Sequence, residues 1–433
     1  MKKLMFFSVL TLGIASLLGA CSNEEMPDFP NPQPSSQTNN LGLDRALQIV
    51  DGMMKELDGG VTRSSRKIIT IEKVNTTTRS DADMPNWYVI NYDNEAGFAL
   101  INDAAVDCPV YGISNTGRLS MTDTLENKGL AMVLNNIFVM GYVDSQPNTN
   151  NDASNTENSG IDNGYIPGQP ISPGFPSDST LHPWKPINPP TETLEVAPLL
   201  TQYVQKWGQG SPFNVLCPMV YNEEYGMEMR GYVGCGPLAM AMIMSHYQWP
   251  LTYYSSSPNE TYEFHWDEIR DYAYRYATSR LTREISRAYN MDAHWEGDGT
   301  WVYWHNAPKT FENFGYNKPS VTNFKDMAYK TITDRVPILV SAQGVTPEGK
   351  STAHMWVIDG LLRVTSNDAA LTTSIMHCYH CVWGWDAVSN GYFSMFDYQS
   401  SSGGYKYDDR TLPNQTGYQF YNFEAIGGLT PNK

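Results

Sequence analysis

The most informative run of this sequence is Gly231-Tyr-Val-Gly-Cys-Gly-Pro-Leu-Ala-Met-Ala-Met-Ile-Met-Ser-His-Tyr-Gln-Trp-Pro250. It sets Cys235 between two glycines, directly before an apolar, methionine-rich pattern with helical spacing and one largely apolar face. Pro237 suits the first turn of such a helix, where the N–H that it lacks would have no helical partner. Unpaired N–H groups and the positive end of the helix dipole favour a thiolate, which is the nucleophilic form of cysteine. The run therefore predicts a helix that begins near Cys235 and a lowered pKa for its thiol.

A nucleophilic cysteine needs a histidine partner; without one, Cys235 would be a small buried cysteine at a tight turn. His246 lies on the same helix, about 16 Å along its axis at ~1.5 Å per residue, which is too far for a base. His354 is better placed, because it opens the apolar strand pattern Ala353–Gly360 after another strand pattern at Val336–Ala342. A histidine at a strand start can face a cleft while the strand fixes its backbone. Taken alone, His354 could equally be a structural histidine.

Three further segments stand in order with the Cys235 run over residues 195–400. They are Leu199-Leu-Thr-Gln-Tyr-Val-Gln-Lys-Trp-Gly-Gln-Gly-Ser-Pro-Phe-Asn214 with Cys217-Pro218, Ala353-His-Met-Trp-Val-Ile-Asp-Gly360, and His380-Cys-Val-Trp-Gly-Trp385 followed by Asn390-Gly-Tyr-Phe393. Together the four segments resemble the motifs of the streptopain peptidases, a family of papain-like cysteine proteases of bacteria. Ala353 stands where glycine is usual in that family. The ordered set is a much more specific signal than any one motif.

The resemblance implies roles for residues of these motifs. Cys235 would attack the peptide carbonyl, and His354 would form the imidazolium that protonates the leaving amine. Gln209 would donate its side-chain amide, together with the backbone N–H of Cys235, to the oxyanion of the tetrahedral intermediate. Gly234, directly before the nucleophile, supports it as part of the same motif. Without the surrounding motif, Gln209 would be interpreted as a surface glutamine in a Gly/Pro-rich loop.

Trp383 and Trp385 would, by the same resemblance, shield the histidine from water and stiffen its ring. The asparagine that orients the histidine in the family aligns with Val382, whose side chain forms no hydrogen bond. Either a backbone carbonyl or a side chain such as Asp386 replaces it, or the tryptophans alone wedge the ring. We therefore predict weakened rather than lost activity. For Val382→Asn we predict a gain in turnover of about tenfold, equivalent to about 1.4 kcal/mol of barrier.

Composition narrows the class of protein. The chain has 433 residues, which predicts more than one folding unit. Its 29 basic and 46 acidic side chains give a net charge of −17, which disfavours nucleic acid as a partner. Six cysteines are too few to form a disulfide framework in a chain of this length.

The cluster His377-Cys-Tyr-His-Cys381 has a rival interpretation as a metal site. On a strand, alternate side chains face opposite sides, so His377 and Cys381 would face away from Cys378 and His380. Four ligands could not then converge on one ion. We therefore expect no metal in this cluster and no cofactor for the chain.

The N-terminus predicts export and lipid attachment. Two lysines precede an apolar run from Leu4 to Leu18, so residues 1–20 are interpreted as a lipoprotein signal peptide. The run is too short and too early for a transmembrane helix. Leu18-Gly-Ala-Cys21 resembles a bacterial lipobox, in which Cys21 receives the lipid and becomes the new N-terminus. The expected location is the cell envelope or surface, held by the lipid anchor, with release after processing left open.

Four regions follow the signal peptide. They are a polar tether at 21–41, a small α+β propeptide domain at 42–145, an Asn/Ser/Pro-rich linker and activation region at 146–194, and a catalytic domain at 195–433. Apolar periodicity predicts helices at Leu43–Leu57 and Gly129–Met140 and strands at Ile68–Val74, Trp87–Tyr92 and Gly97–Ile101. The segments Trp87–Asn102 and Val110–Ser114 resemble the propeptide of streptopain zymogens. That resemblance implies that residues 42–145 act as an intramolecular inhibitor covering the cleft.

The expected fold is α+β and papain-like, with a helical layer carrying Cys235 packed against an antiparallel sheet carrying His354. The expected function is that of a secreted, lipid-anchored cysteine endopeptidase, made as a zymogen and acting on protein or peptide substrates. Two alternatives stay open. One is a surface lipoprotein that keeps the fold for binding but has weakened or lost catalysis. The other is a Cys–His amidase or acyl transferase, which differs only in the acceptor.

Overall fold

The computed structural model of the chain describes residues 41–60, 66–74, 87–103, 108–122, 127–145, 191–270, 275–297, 299–345, 349–367, 373–395 and 419–433. The predicted signal peptide, Cys21, the tether up to residue 40 and residues 146–190 of the predicted linker lie outside these ranges. None of the helices that are described combines the length and the apolar content required to cross a bilayer.

The region predicted as a propeptide domain, called the pro-region below, forms a small sheet with a helix at each end. Its elements are α1 (Leu41–Leu57), β1 (Ile68–Lys73), β2 (Trp87–Tyr92), β3 (Phe98–Asn102), β4 (Val110–Ser114) and α2 (Lys128–Ser145). The periodic apolar residues of α1, among them Ala46, Val50 and Met53, are fully buried, as an amphipathic helix requires. The predicted helices and strands of this region are confirmed, although α2 continues to Ser145, beyond its predicted end.

The second half of the chain begins with short hairpins and helices and ends with long strands. The first group is β5 (Thr191–Val196), β6 (Met219–Asn222), β7 (Met227–Arg230), α3 (Cys235–Tyr247), β8 (Thr252–Ser255), β9 (Glu260–Glu263), α4 (Trp266–Arg270), α5 (Arg275–Ile285), β10 (His294–Glu296), β11 (Gly299–Trp301) and α6 (Ala307–Asn313). The second group is β12 (Val321–Asn323), α7 (Phe324–Thr333), β13 (Ile338–Val345), β14 (Ser351–Asn367), β15 (Thr373–Val382), β16 (Gly391–Ser394) and β17 (Gln419–Ile426).

One antiparallel sheet joins eleven of the described strands. Its path runs β1-β2-β3-β4-β16-β15-β14-β13-β17-β12, and β5 pairs with β14 beside that path. The pro-region enters this sheet through β4, where Ile113 stands opposite Tyr392 of β16 and Gly112 stands opposite Phe393. The pro-region and the second half of the chain therefore share one hydrogen-bonded sheet.

The two regions also share a hydrophobic core. On one face of the sheet, the pro-region residues Trp87, Phe98 and Leu134 belong to the same buried cluster as Trp383 and Phe393. The rings of Phe98 and Phe393 lie 6.0 Å apart between centroids. On the opposite face, α3 packs on β13 and β14 in a second cluster, and α1 covers the pro-region strands in a third. The pro-region thus completes the core as well as the sheet.

The linker ends earlier than the sequence predicted. Thr191–Val196 forms β5, which pairs with β14 between Leu361 and Thr365. The N–H of Leu194 also donates to Oε1 of Glu56 on α1 at 3.1 Å. The run Thr-Glu-Thr-Leu-Glu-Val has little apolar content, so its sequence carries no strong strand signal. Its strand conformation depends on partners that are distant in the chain.

The helix predicted at Cys235 is confirmed, and it is more deeply buried than its pattern indicated. α3 begins at Cys235, and Gly236 to Ser245 are all buried. The helix is therefore surrounded by protein on every side rather than on one face, as expected for a helix that is apolar all round. It packs against the antiparallel sheet whose strand β14 carries His354. This is the predicted α+β arrangement.

Candidate active site

A glycine turn places Cys235 at the N-terminal end of α3. Gly234 has a φ of 90°, which favours glycine, and a Cβ added there would press on the side chain of Thr300. The N–H of Leu238 donates to the Gly234 carbonyl at 3.2 Å and closes the first turn. The chain therefore turns sharply into the helix, and the thiol is left at its first residue.

Burial sets the protonation state of Cys235 in the full chain. It raises the pKa of the thiol above its ordinary value, although the N–H groups of Met355, Gly236 and Cys235 itself and the charge of Lys128 act to lower it. The prediction of a lowered thiol pKa is therefore wrong for the full chain. The N–H groups at the start of the helix act in the predicted direction, but desolvation of the buried site disfavours the charged thiolate more strongly.

His354 is buried near the start of β14, opposite Ala342 of β13. Its Nε2 lies 3.1 Å from the carbonyl oxygen of Trp383. Because a carbonyl only accepts, this contact assigns the proton to Nε2 and makes Nδ1 the basic nitrogen. Burial lowers the pKa of His354 to about 4, helped by the charge of Lys128, while the Trp383 carbonyl acts in the opposite sense. The imidazole is therefore neutral at neutral pH in the full chain.

The carbonyl of Trp383 is the group that orients His354, and other contacts hold it in place. The N–H of Trp383 donates to Oδ1 of Asn390 at 3.2 Å, and its indole Nε1 donates to the carbonyl of Ser389 at 2.8 Å. Its ring packs on Trp356, with 5.3 Å between ring centroids. A backbone carbonyl was one of the replacements considered for the missing asparagine. The sequence indicated Asn390 only as part of a motif and gave no sign that it anchors the residue whose carbonyl orients His354.

The side chain of Asp386 lies against Gly208, and that of Val382 lies beneath α3. An added Cβ at Gly208 would overlap the carboxylate of Asp386, so that side chain lies against Gly208. Val382 belongs to the buried cluster beneath α3, whereas Trp356 belongs to the cluster on the other face of the sheet. His354 and Trp356 are two residues apart on β14, so their side chains share that other face. An asparagine at position 382 would enter the α3 cluster, and the reason given for a gain in turnover does not hold.

Gln209 lies in a segment that is tied to two parts of the site. Its carbonyl accepts the N–H of Val233 at 2.9 Å, two residues before Cys235. On the other side, Gly208 pairs with Trp385 in an antiparallel bridge. Gln209 itself is 8% exposed, so it is not the surface glutamine of the alternative interpretation. The structure thus brings the candidate oxyanion donor, the loop before the nucleophile and Trp385 into one neighbourhood.

The start of α2 closes this neighbourhood from the pro-region. Gly129 is so close to the imidazole of His354 that an added Cβ would overlap its Cδ2 atom. Lys128 lowers the pKa of both Cys235 and His354 through its charge, so its ammonium group lies near both. Sequence reasoning missed Lys128 and Gly129. The only available signal was a Lys-Gly pair at the start of a predicted helix, which says nothing about a contact with a distant strand.

Within the described chain, the thiol and the imidazole are engaged by backbone groups and not by each other. The sulfur of Cys235 bonds to the N–H of Met355, the residue after His354, and the ring of His354 bonds to Trp383. The thiol is thus bound at Met355 of β14, and the imidazole belongs to His354, the residue before it. With a protonated thiol and a neutral imidazole, the full chain holds both in their unreactive forms.

Comparison with known protein families agrees with this arrangement. Residues 207–393 match the peptidase C10 family, and the match spans Gln209, Cys235 and His354. Residues 207–393 thus form a domain of the streptopain-type peptidase C10 family. Residues 38–138 match the Spi protease inhibitor family, and they include most of the pro-region. The helical layer against an antiparallel sheet is the papain-like fold of the streptopain family, as the sequence predicted.

Several known proteins are similar to this chain over part of their length. Thiol protease/hemagglutinin PrtT of Porphyromonas gingivalis is 28% identical over 265 residues, which are 52% of this chain and 26% of PrtT. Streptopain of Streptococcus pyogenes is 25% identical over 228 residues, which are 44% of this chain and 53% of streptopain. The chain thus spans about a quarter of PrtT and about half of streptopain. A solved structure of a Prevotella intermedia prointerpain A fragment is similar with a TM-score of 0.46 at 15% identity, covering 84% of this chain and 98% of the fragment.

The side chains of the His/Cys cluster of β15 lie in different parts of the structure. Alternation along the strand puts Cys378 in the cluster beneath α1 and Cys381 in the cluster on the other face. Nδ1 of His380 lies 2.5 Å from Oδ1 of Asp359, and both side chains are buried. In the ranges that the structure describes, no group of three His, Cys, Asp or Glu side chains is placed to hold a metal ion.

Val382→Asn is expected to lower stability and to give no gain in activity. The valine is fully buried among apolar side chains, so an amide there would lose its hydrogen bonds to water. The free energy of unfolding should fall by about 2 kcal/mol. The measurement is the thermal midpoint together with peptide hydrolysis, and Val388→Asn, at a valine that is 44% exposed, is the matched control. Unchanged stability with higher turnover would mean that the amide does reach His354.

The full chain is expected to react slowly with iodoacetamide at Cys235 near neutral pH. Since burial raises the thiol pKa, the reactive thiolate fraction grows only as the pH rises above the ordinary thiol range. Gly129→Val should speed the labelling, because its side chain would push α2 away from His354. Gly299→Val, where an added Cβ meets open space, is the control. The rate is followed by mass spectrometry of the Cys235 peptide, and equal rates in all three proteins would refute this explanation of latency.

Proposed function

We propose that this chain is a cysteine endopeptidase, made as an inactive precursor, that cleaves protein or peptide substrates. The observation that supports it most is the grouping of Cys235 at the start of α3, Gln209 in a segment bonded to the loop before it, and His354 beside the residue whose N–H bonds the sulfur. The match of residues 207–393 to the peptidase C10 family supports the same activity.

In the proposed reaction, Nδ1 of His354 takes the proton of the Cys235 thiol once the pro-region has left the site. The thiolate attacks the peptide carbonyl, while the Gln209 amide and the Cys235 N–H stabilise the oxyanion. The imidazolium then protonates the leaving amine as the C–N bond breaks, which leaves a thioester. A water molecule that gives its proton to His354 hydrolyses the thioester, and the acid product leaves with the thiol restored.

We propose that the pro-region is an intramolecular inhibitor. It blocks access to the site and also keeps Cys235 and His354 in their uncharged forms. Contact of Gly129 with His354 supports this, and so do the raised pKa of Cys235 and the lowered pKa of His354. Burial makes a thiolate–imidazolium pair unfavourable, because both members would be charged in a desolvated site. Removal of α2 would rehydrate both groups and move both pKa values towards their ordinary range. The ion pair then becomes favourable, and the nucleophile is formed.

The alternative of a binding-only lipoprotein loses its main support, because the Trp383 carbonyl supplies the partner that Val382 lacks. An acyl transferase would use the same thioester and differ only in the group that attacks it, whereas an amidase would differ only in the amide that it hydrolyses. The reaction products distinguish hydrolysis from acyl transfer. Hydrolysis introduces oxygen from water into the new carboxylate, whereas transfer joins the acyl group to an added amine.

Cys235→Ser and His354→Ala are each expected to abolish nearly all cleavage of a fluorogenic peptide by the processed protein. Gln209→Ala should lower kcat by roughly 10²- to 10³-fold, because it removes one donor to the oxyanion. Cys217→Ser is the control, since the Cys217 thiol is buried and its pKa is raised to about 11. Retention of full activity by Cys235→Ser would rule out the proposed nucleophile.

We propose in addition that residues 1–20 direct export and that Cys21 carries the lipid anchor, which would hold the protein at the cell envelope or surface. The Leu18-Gly-Ala-Cys21 run supports this. Growth of an expressing bacterium with an alkyne fatty acid should label the protein, and Cys21→Ala should remove the label. Cys108→Ala should keep it. Labelling that persists in Cys21→Ala would exclude this anchor site.

A further inference from the structure

A cavity of about 490 Å³ opens beside the Gln209 segment, and the described residues that line it all belong to the second half of the chain. Gly210 and Ser211, which directly follow Gln209, form part of one wall, and Tyr232 forms part of another. The hydrogen bond between Val233 and the Gln209 carbonyl joins these two walls. The cavity therefore adjoins the candidate oxyanion site while containing none of the residues that carry the proposed reaction.

Its distance from the thiol suits the side chain of a bound peptide. Tyr232 lies three residues before Cys235, so their backbones are at most about 11 Å apart. An extended peptide advances about 3.3 Å per residue. A substrate whose scissile bond sits at Cys235 would therefore bring a side chain to this cavity within about three residues of that bond.

Arg230 gives the cavity its charge. Among the described residues that line it, Arg230 is the only charged one. Its Nη1 donates to the carbonyl of Cys217 at 2.7 Å, which holds one edge of the guanidinium group and leaves its other N–H groups to bind a ligand. Asn214, which is 6% exposed, donates its amide to the carbonyls of Gly231 and Arg230 at 3.0 and 3.4 Å. The backbone that carries Arg230 is thus fixed from inside the protein.

A second arginine adds to the local positive potential. Burial raises the pKa of the Cys217 thiol to about 11, and the charges of Arg283 and Arg230 both oppose this rise. Both cations therefore lie near Cys217, whose carbonyl accepts the Arg230 bond, in a chain whose net charge is −17. A fixed guanidinium group beside a small cavity recognises a carboxylate through charge-assisted hydrogen bonds.

We propose that this cavity is a specificity subsite for an acidic side chain, Asp or Glu, of the peptide substrate, with Arg230 as the specificity-determining residue. The proposal rests on the proposed peptidase function, because it assigns a substrate preference to the same site. Arg230 touches the substrate away from the bond that breaks. Its bond to the acidic side chain therefore stabilises the bound substrate and the transition state equally. The bond lowers KM and leaves kcat unchanged.

The test uses the protein after proteolysis has cut within residues 146–190 and digested the pro-region, and a set of quenched fluorescent peptides. In this set a Glu, or its neutral isostere Gln, moves through the three positions on each side of the scissile bond. At one position the Glu peptide should be cleaved with a kcat/KM about fivefold higher than the Gln peptide, through a lower KM. Arg230→Gln should remove this preference, and Arg230→Glu should turn it towards a Lys peptide. Arg335→Gln, the same charge change at an exposed arginine outside the lining, should keep it.

The proposal is overturned if no position shows a preference that depends on Arg230. It is also overturned if Arg230→Gln slows all peptides equally, which is the result expected from a purely structural role of the bond to Cys217. If the wild-type protein cleaves no peptide, the proposed function fails, and the subsite is then judged by binding alone. Fluorescence anisotropy with Cys235→Ala whose pro-region has been digested in the same way should show tighter binding of the Glu peptide, lost in Cys235→Ala/Arg230→Gln, and equal binding of both peptides would reject the subsite.

Discussion

The backbone pairing of β4 with β16 is the constraint on which the rest of this structure depends. It makes the pro-region part of the same sheet that carries His354, and α2 of the pro-region packs on β13, β14 and β17 of that sheet. With α2 held there, Gly129 rests on His354 and the site is desolvated. The chemistry of the thiol follows from that desolvation. A thiol with a raised pKa and an imidazole with a lowered one are the forms that this packing stabilises.

The features that could be predicted from the sequence are those with local causes. Two glycines and an apolar helical pattern were enough to start α3 at Cys235, and an apolar run after a loop was enough to put His354 near the start of a strand. The order of four motifs indicated the family. Each single motif lies within about twenty residues of sequence, where backbone preference and burial period act directly.

The features that could not be predicted depend on contacts between distant segments. The raised pKa of Cys235 comes from burial in the folded chain, and no property of the residues around it in sequence reports that burial. The orienting partner of His354 is a main-chain carbonyl, and every residue type carries one. Val382 illustrates the same limit. An alignment shows only that valine stands where the family has asparagine. The face of the sheet on which the side chain lies depends on the register between β14 and β15.

The shared sheet also determines what maturation must achieve. β16 is an interior strand while β4 is bound to it, and Phe393 is fully covered. Once the pro-region is gone, the same strand becomes a sheet edge, with unpaired backbone groups and uncovered apolar side chains beside it. Cutting the connecting segment leaves all of these contacts in place, so a nicked pro-region is held as firmly as an element of a folded core. For the proposed peptidase, the pro-region must then be digested rather than simply detached, and the processed protein starts with an open strand edge next to its candidate active site.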